Sequence, residues 1–384
     1  MEELKGYRDQ IDAIDRQLAD LFQQRMDVVD KVGQYKLARN MPVLDAKREQ
    51  EVLAAKAALA RNEAVSADLA ALFEHVMAIS RRRQRKLIQE DGIEPGYDRC
   101  KRAMAAARAP IASPRVAYQG VAGAYSEMAC INFFGDTSEN IGLEQFEDVF
   151  EALKKGEADY AVLPIENSTS GAIRQVYDLM TQYECSIVGE TTVKVEHCLM
   201  APKGTTLDTI THVYSHEQGL FQSDRFLNAH PDWVQVPCAD TAGAGQYVAQ
   251  TGDVTKAAIC SERAAQLYGL DVLVHGTNHN SNNIPRFVVV SPVMELREGA
   301  DKISTVFSLP HEAGSLHRIM TIFAVNGLNM TKLESRPMPG HSWEYMFFLE
   351  FTGSLNAPEM DGILHELTQT AADFRVLGNF VSNL

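Results

Sequence analysis

Residues 3–38 read ELKGYRDQIDAIDRQLADLFQQRMDVVDKVGQYKLA, and this stretch decides the fold of the N-terminal part of the chain. Apolar residues recur in it at intervals of three and four, which predicts one long amphipathic helix. They form a single stripe that consists of Leu4, Ile11, Ile14, Leu18, Leu21, Val28 and Val32. Because residues 1 to about 90 contain no strand-like pattern, we expect helices throughout this part.

Cations occupy the apolar stripe at two positions, Arg8 and Arg25, and Lys36 continues the same face beyond it. Buried cations are costly unless they meet anions. Salt bridges between helices, or side chains that reach out to solvent, are one interpretation of this pattern. A binding site for an anion is the other, and the residues alone do not decide between them.

The spacing of the two arginines constrains any ligand that they share. Arg8 and Arg25 are 17 residues apart, which is roughly 25 Å along a straight helix. A small dianion cannot contact both side chains within one chain. If both serve one ligand, they come from two subunits, and an antiparallel pairing of two such helices would bring them together.

A second helix is predicted after Pro42, with Asp45 as its N-cap. Arg48, Glu49 and Val52 share the face of Asp45, and taken alone this pattern indicates an ordinary charged surface.

A third helix is predicted to begin near Ser66. Its apolar stripe is continued by two polar residues, Ser80 and Gln84, where the stripe would otherwise end. The run RRRQRK at 81–86 predicts a solvated helix C-terminus, because cations are favourable near the negative end of the helix dipole.

The composition excludes several classes of protein. The formal net charge of −15 over 384 residues argues against a nucleic acid as partner. No apolar run approaches the roughly 20 residues that span a membrane, and the charged N-terminus MEELKGYRDQ lacks the apolar core of a signal peptide. The six cysteines form no CxxC pair and no metal-ligand spacing with histidine, so we expect free thiols and no metal site. The sequence thus predicts a cytoplasmic protein.

Three domains and a linker are predicted: a helical domain at 1–90, a linker with one helical turn at 91–113, an α/β domain at 114–292, and a C-terminal domain at 302–384. The last domain shows the order βαββαβ, which is the ferredoxin-like α+β unit. Its predicted segments are a strand at 302–309, a helix at 314–327, strands at 328–335 and 344–351, a helix at 358–371, and a strand at 374–378.

The spacing of charged and polar residues in the first ninety positions resembles that of the all-helical chorismate mutases. The whole chain is similar to the family in which such a mutase is fused to a prephenate dehydratase. The positions that match the substrate-contacting set of that family are Arg8, Arg25, Lys36, Asp45, Arg48, Glu49, Ser80 and Gln84.

This resemblance implies an intertwined dimer that rearranges chorismate to prephenate without nucleophile, metal or cofactor. Arg8 of the partner subunit, together with Arg25 and Arg48, would bind the two carboxylates. Lys36 and Gln84 would donate to the ether oxygen of the breaking bond. Glu49 would bind the substrate hydroxyl, and Asp45 and Ser80 would support these residues from the edge of the pocket.

Residues 114–292 resemble the prephenate dehydratase domain, whose two lobes are similar to periplasmic binding proteins. The matching stretches are 116–120, 123–126, 159–168, Gly171, 214–218, 240–242 and 286–287. The candidate site residues are Asn167, Ser168, Thr169, Gln218, Thr241, Arg286 and Phe287. From the residues alone, 167–169 are also expected to cap a helix that begins near Gly171, whose amides would bind a carboxylate.

One position departs from the family pattern. The family has Thr-Arg-Phe where this chain has Pro285, Arg286 and Phe287, and proline offers neither a hydroxyl nor a backbone N–H. Either a hydroxyl of Ser168, Thr169 or Ser281 replaces the threonine, or the activity is weak, or the domain binds prephenate without dehydrating it. We favour dehydratase activity because the other motifs remain. The alternative is an active mutase fused to a domain that only binds prephenate or phenylalanine.

Residues 302–384 resemble an ACT regulatory domain, which binds phenylalanine between two such domains in this family. The matching residues are Gly314, Ser315, Leu316, Glu334, Ser335, Arg336 and Pro337, with Ser315 at a position where the family has alanine. The resemblance implies feedback inhibition by phenylalanine. It also implies a homodimer or higher homo-oligomer with chorismate and prephenate as substrates.

A change at Gln84 tests its expected contact with the ether oxygen. A glutamate there donates a hydrogen bond only when it is protonated, whereas glutamine donates at any pH. We expect mutase activity of Gln84→Glu to fall steeply as the pH rises toward neutrality, while the parent enzyme loses little. A flat pH–rate profile for the variant would exclude Gln84 from this contact.

Overall fold

The chain folds into a helical N-terminal domain, a two-lobed α/β domain and a C-terminal α+β domain. The computed structural model describes residues 2–39, 41–85, 87, 95–168, 171–280, 282–338 and 344–383. Within these ranges no helix combines the length and the apolar content that crossing a membrane requires.

Three helices form the N-terminal domain: α1 (Glu2–Leu37), α2 (Ala46–Ala57) and α3 (Glu63–Arg85). The predicted first helix is confirmed to within one residue at each end. The third helix begins three residues before the predicted Ser66. Asp45 caps α2, since its Oδ1 accepts a hydrogen bond from the Arg48 amide at 2.9 Å.

The first lobe of the α/β domain is formed by two separate parts of the chain. Its elements are β1 (Arg115–Gln119), α5 (Tyr125–Phe134), a 3₁₀ turn (Gly135–Thr137), β2 (Glu139–Leu143), α6 (Phe146–Lys155), β3 (Tyr160–Asn167), β4 (Gly171–Ala172), α7 (Arg174–Gln182), β5 (Ser186–Thr192) and β11 (Arg286–Ser291). The sheet order is β2-β1-β3-β11-β5, and β4 pairs with β3. β1 is parallel to β2 and β3, whereas β11 is antiparallel to β3 and β5.

The second lobe lies between β5 and β11 in the chain. Its elements are β6 (His197–Ala201), a 3₁₀ turn (Leu207–Thr209), β7 (His212–His216), α8 (Glu217–Gln222), α9 (Asp224–Asn228), β8 (Val234–Cys238), α10 (Thr241–Thr251), β9 (Lys256–Ser261), α11 (Glu262–Tyr268) and β10 (Asp271–Val274). The sheet order is β10-β6-β9-β7-β8. β7 is parallel to both of its neighbours. The two-lobed prediction is therefore confirmed.

The helix predicted to begin near Gly171 does not begin there. Asn167 pairs with Gly171 in a short antiparallel ladder between β3 and β4, and Gly171 has a φ of 80°, which favours glycine. The following helix, α7, starts only at Arg174 and has no side-chain N-cap. The capping prediction was wrong for Asn167 and Ser168, because Asn167 pairs with Gly171 and the helix starts only after this pairing; Thr169 lies outside the described residues.

The C-terminal domain has the predicted order βαββαβ. Its elements are β12 (Lys302–Ser308), α12 (Ser315–Asn326), β13 (Met330–Pro337), β14 (Tyr345–Thr352), α13 (Met360–Thr370) and β15 (Ala372–Phe380). They form an antiparallel sheet of order β13-β14-β12-β15. One surface of this sheet is covered by α12 and α13, whose buried side chains include Ile319 and Leu364.

The predicted linker contains a helix of three turns rather than one, α4 (Pro95–Ala105). Tyr97 and Cys100 on this helix are buried in the core of the C-terminal domain, and Met104 packs against that core. These positions have the spacing i, i+3, i+7 of an apolar helix face. The alanine, glycine and charge around them concealed this short pattern in the sequence.

The open face of the C-terminal sheet packs on the first lobe of the α/β domain. Phe348 contacts Tyr177 edge to face, with ring centroids 4.7 Å apart. Val306 and Leu377 belong to the same buried cluster as Leu163 of β3. The two domains therefore share one hydrophobic core.

Gly378 marks the closest approach between these two domains. A Cβ at this position would lie 1.8 Å from the carbonyl oxygen of Ile187 on β5. A backbone oxygen cannot move aside as a flexible side chain can. Only glycine therefore permits β15 to lie this close to β5.

We expect Gly378→Ala to lower the free energy of unfolding by about 1–3 kcal/mol, because the extra methyl group forces the two strands apart. Urea unfolding followed by circular dichroism measures the change. The matched control is Gly362→Ala on α13, where the new Cβ would meet the Arg85 side chain at an ordinary 3.6 Å. Equal unfolding midpoints for the two variants would contradict the proposed close packing.

Candidate functional sites

A cavity of about 210 Å³ lies between α1, α2 and α3. Several of the predicted site residues line this cavity, namely Arg25, Lys36, Asp45, Arg48, Glu49, Ser80 and Gln84. Its apolar lining consists of Val29, Val32, Val43, Val52 and Met77. The structure thus brings together, from three helices, seven of the eight residues that the sequence singled out.

Arg25 and Ser80 form the contact between α1 and α3 in this cavity. Nη1 of Arg25 donates to Oγ of Ser80 at 2.5 Å, and this hydroxyl donates to the Val76 carbonyl at 2.6 Å. Partial burial lowers the pKa of Arg25, because a cation loses hydration there. An anion in the cavity would stabilise this guanidinium.

Lys36 contributes an ammonium group to the same cavity, and Gln84 contributes a side-chain amide. The ammonium group of Lys36 donates to the Val43 carbonyl at 2.6 Å and so fixes the connection between α1 and α2. Gln84 is buried, and its Oε1 has no hydrogen-bond partner among the described residues. An unsatisfied buried amide oxygen is unfavourable. A polar ligand, or a second subunit, would provide what it lacks.

The second helix contributes Asp45, Arg48 and Glu49 at one side of the cavity. Asp45 and Arg48 are exposed, and Arg48 forms a long ion pair of 3.4 Å with Glu51 on the surface. Such a pair adds little stability, so Arg48 is able to turn toward a ligand. Glu49 is held instead by Arg81, whose Nη1 lies 2.7 and 2.5 Å from its two carboxylate oxygens.

Arg8 does not reach this cavity. It is exposed on the first half of α1, roughly 25 Å along the helix axis from Arg25. The apolar residues around it are each more than half exposed, namely Leu4, Ile11, Ile14, Leu18 and Leu21. An exposed apolar stripe of this length is typical of a surface that another protein chain covers.

The arginine run after Ser80 is not the solvated helix end that the sequence predicted. Side chains of Arg81 and Arg85 are only 15% and 7% exposed, and both bind Glu366 on α13. Arg82 donates to the Val325 carbonyl of α12. Among the described residues of the run, Arg83 alone matches the prediction of an exposed side chain. The prediction failed because it could not foresee that the C-terminal domain packs on this helix.

Arg81 is the cavity residue that sequence reasoning missed. Its signal was present, since it follows Met77 by four residues and precedes Arg85 by four, on one buried face of α3. The surrounding charges made this face look like a solvated one.

The second candidate site lies between the two lobes of the α/β domain. β1 and β3 are parallel neighbours, so the loop at 120–124, after β1, and Ser168, after β3, lie at the same edge of the sheet. This edge faces the other lobe, because Oγ of Ser261 donates to the Gly123 carbonyl at 2.7 Å. The Tyr125 hydroxyl lies 3.0 Å from Nδ1 of His197, whose pKa burial lowers to about 4. This imidazole is therefore neutral at physiological pH.

The second lobe places Gln218 and Thr241 at the corresponding edge. They follow the carboxyl ends of β7 and β8, which are parallel neighbours. His216 accepts a hydrogen bond from the Gln218 amide at 3.1 Å and so caps α8. Asp240 caps α10, in which Thr241 is the first residue. His216 thus has a local role in the backbone of this turn.

Ser168 binds the segment that precedes Pro285. Its hydroxyl donates to the Asn282 carbonyl at 2.9 Å and accepts from the Ile284 amide at 3.0 Å. Pro285 itself is buried, and its carbonyl accepts from Val193. Thr169 and Ser281, the other two hydroxyls considered, lie outside the described residues.

Arg286 and Phe287 point to opposite faces of β11. Phe287 is packed in the core of the first lobe. Arg286 faces the C-terminal domain, where it binds Glu190 at 2.6 Å and Glu350 at 2.9 Å. Burial alone would raise the pKa of Glu190, but Arg286 and the Lys302 ammonium outweigh it and lower the pKa. The structure thus places Arg286 in an interdomain ion-pair cluster rather than beside Gln218 and Thr241.

The residues predicted to bind an effector lie on two parts of the C-terminal domain. Gly314 has a φ of 84° and precedes α12, whose first residue, Ser315, is buried and is followed by the half-buried Leu316. The second group, Glu334, Ser335, Arg336 and Pro337, ends the edge strand β13. Arg336 binds Asp178 of α7 at 2.7 Å. This strand end therefore touches the first lobe.

The described residues contain no group of histidine, cysteine, aspartate and glutamate that could hold a metal ion. All six cysteines are free thiols, as predicted. Burial raises the pKa of several of them, including Cys185 to about 11. Such thiols are packing residues rather than nucleophiles.

The fold and the two sites define a class of multidomain enzyme, in which a cationic helical cavity is joined to a two-lobed α/β domain. A family model described as chorismate mutase type II matches residues 7–85, and one described as prephenate dehydratase matches residues 116–295. The bifunctional chorismate mutase/prephenate dehydratase of Escherichia coli K12 is 34% identical, covering 99% of this chain and 96% of the relative. The chain belongs to the family of bifunctional chorismate mutase/prephenate dehydratases.

Two solved structures are each similar to 70% of the chain. The prephenate dehydratase of Arthrobacter aurescens in complex with L-Phe has a TM-score of 0.63 and 29% identity, covering 70% of this chain and 90% of that one. A structure described as GqqA, a novel type of quorum quenching acylases, has a TM-score of 0.64 and 28% identity, covering 70% and 98%. The same scaffold is thus associated with more than one chemistry.

Proposed function

We propose that the chain catalyses two consecutive reactions in the cytoplasm. The helical cavity rearranges chorismate to prephenate, and the cleft between the lobes converts prephenate to phenylpyruvate. The observation that carries the proposal is the convergence of Arg25, Lys36, Glu49 and Gln84 from three helices on one cavity. A doubly charged substrate would compensate the cations that are otherwise costly in an apolar seam.

The mutase step needs positioning and charge stabilisation rather than a nucleophile. In the proposed mechanism Arg25 and Arg48 bind the substrate carboxylates and hold the two ends of the molecule close together. The developing charge on the ether oxygen is stabilised by Lys36 and Gln84 as the C–O bond breaks. Glu49 accepts the hydrogen bond of the substrate hydroxyl. Asp45, as helix cap, and Ser80, as partner of Arg25, keep this arrangement in place.

A second copy of the chain would complete the mutase site. The exposed stripe of α1 supports an intertwined dimer, because its apolar residues have no cover within one chain. Antiparallel pairing of two α1 helices would bring Arg8 of one subunit to the cavity of the other. The interface would be isologous, with two equal sites.

Mixing two inactive variants tests this shared site. We expect Arg8→Ala and Arg25→Ala each to lose most mutase activity alone. Unfolding and refolding them together should restore about a quarter of the sites, since half of the dimers are mixed and each carries one intact site. Activity in the mixture no higher than the sum of the parents would exclude a site built from two chains.

The dehydratase step breaks two bonds of prephenate. The ring carboxylate leaves as CO₂, its electron pair completes the aromatic ring, and the ring hydroxyl departs as water with a proton from a donor. The position of the 120–124 loop, Ser168, Gln218 and Thr241 at the facing edges of the two lobes supports this assignment. The hydroxyl of Ser168 binds the segment that precedes Pro285, through its hydrogen bonds to residues 282 and 284.

Pro285 favours one alternative, in which the two-lobed domain binds prephenate with weak or absent turnover. We expect Pro285→Thr to raise the rate of phenylpyruvate formation by about tenfold, because it restores a hydroxyl donor. Pro285→Val is the matched control, since valine has the shape of threonine without its hydroxyl. If the threonine and valine variants match the parent, another donor already serves. If none of the three forms phenylpyruvate, the binding alternative is correct.

Feedback by phenylalanine is the third part of the proposal. The turn at Gly314 allows a ligand to approach the backbone closely, and the amides that begin α12 suit a carboxylate. The structure of the similar prephenate dehydratase from Arthrobacter aurescens is that of a complex with L-Phe. We assign the effector site to Gly314, Ser315 and Leu316 of one subunit and residues 334–337 of another, as an ACT domain pair.

A further inference from the structure

Arg81 holds the carboxylate of Glu49 in the mutase cavity. Both oxygens of Glu49 accept hydrogen bonds from Nη1 of Arg81, at 2.7 and 2.5 Å. Glu49 lies on α2 and Arg81 on α3, so this contact fixes the carboxylate across the cavity wall. In the proposed mechanism the direction of this carboxylate decides how the substrate hydroxyl is bound.

The same guanidinium is anchored on the C-terminal domain. Nε of Arg81 donates to Oε1 of Glu366 at 2.9 Å, and the other oxygen of Glu366 binds Arg85 at 2.5 Å. The Glu366 side chain is only 3% exposed. Glu49, Arg81, Glu366 and Arg85 therefore form a row of alternating charges from the cavity to α13.

The charges in this row depend on each other. Burial alone would lower the pKa of Arg81, but the charges of Glu49 and Glu366 outweigh it and raise the pKa above its ordinary value. Removing one member would leave a buried charge without compensation. A shift of α13 relative to α3 therefore cannot leave the guanidinium of Arg81 in place.

We infer that Arg81 is a positioning residue of the mutase site, and that Glu366 links the orientation of Glu49 to the state of the C-terminal domain. The inference rests on the role proposed above for Glu49. The effector site assigned at Gly314 begins α12, which packs beside α13 on the same sheet and accepts a hydrogen bond from Arg82 at Val325. Phenylalanine bound there would reach the mutase cavity through α13 and Arg81.

A double-mutant cycle on the full chain tests the positioning role. We expect Arg81→Met to lower mutase kcat about tenfold in the parent but less than about twofold in the Glu49→Ala background. Arg81→Lys should restore part of the loss, because it keeps a charge near Glu49. The control on the same helix is Arg83→Met, which removes an exposed pair with Asp30 and should leave activity unchanged. Phenylpyruvate formation from prephenate confirms that each variant is folded.

Glu366→Gln tests the link to the C-terminal domain. We expect phenylalanine to lower the mutase rate of the parent but not that of this variant, while it still inhibits phenylpyruvate formation by both. Equal mutase responses in the parent and the variant would overturn the link, and so would a parent mutase that does not respond. Equal losses for Arg81→Met in both backgrounds would overturn the positioning role. If Arg25→Met retains full mutase activity, the assigned cavity fails instead, which separates the two proposals.

Discussion

Charge inside an apolar environment must be neutralised, and this constraint shapes each junction of the molecule. Glu366 is buried between Arg81 and Arg85 where the helical domain meets the C-terminal domain. Glu190 is buried with Arg286 and Lys302 where the C-terminal domain meets the first lobe. These clusters hold the domains in one relative orientation, since a displaced partner would leave a buried charge without a counterion. In the mutase cavity, by contrast, Arg25 binds the neutral hydroxyl of Ser80.

The C-terminal domain occupies the position from which both reactions can be influenced. The open face of its sheet shares a hydrophobic core with the first lobe. Its helical layer binds α3 through Glu366 and Val325, and buries α4. A domain with contacts on both sides needs no flexible tether to transmit a change. A small movement of its helices relative to its sheet would change the packing next to either site, because a close-packed interior transmits strain.

Two of the three incorrect local predictions have the same physical origin. The helix α4 and the buried arginines of α3 depend on contacts with segments far away in the chain, whereas the error at Asn167 has a local origin, its pairing with Gly171. Local preference for a cap, a linker or a solvated charge was sound for each isolated segment. Tertiary packing reversed the outcome for the linker and for the charged helix end. By contrast, the long helices and the βαββαβ unit were predictable because their apolar periodicity extends over many residues.

The sequence by itself determined the secondary structure of the long segments, the family, and the set of polar residues that could serve a dianion. Periodicity and spacing are local properties, so they survive without knowledge of the fold. Only the tertiary structure decided that Arg286 serves a domain junction, that Arg81 belongs to the mutase cavity, and that Ser168 contacts the segment before Pro285. A side chain's function depends on which distant charges and backbone groups surround it, and only the folded chain brings these groups together.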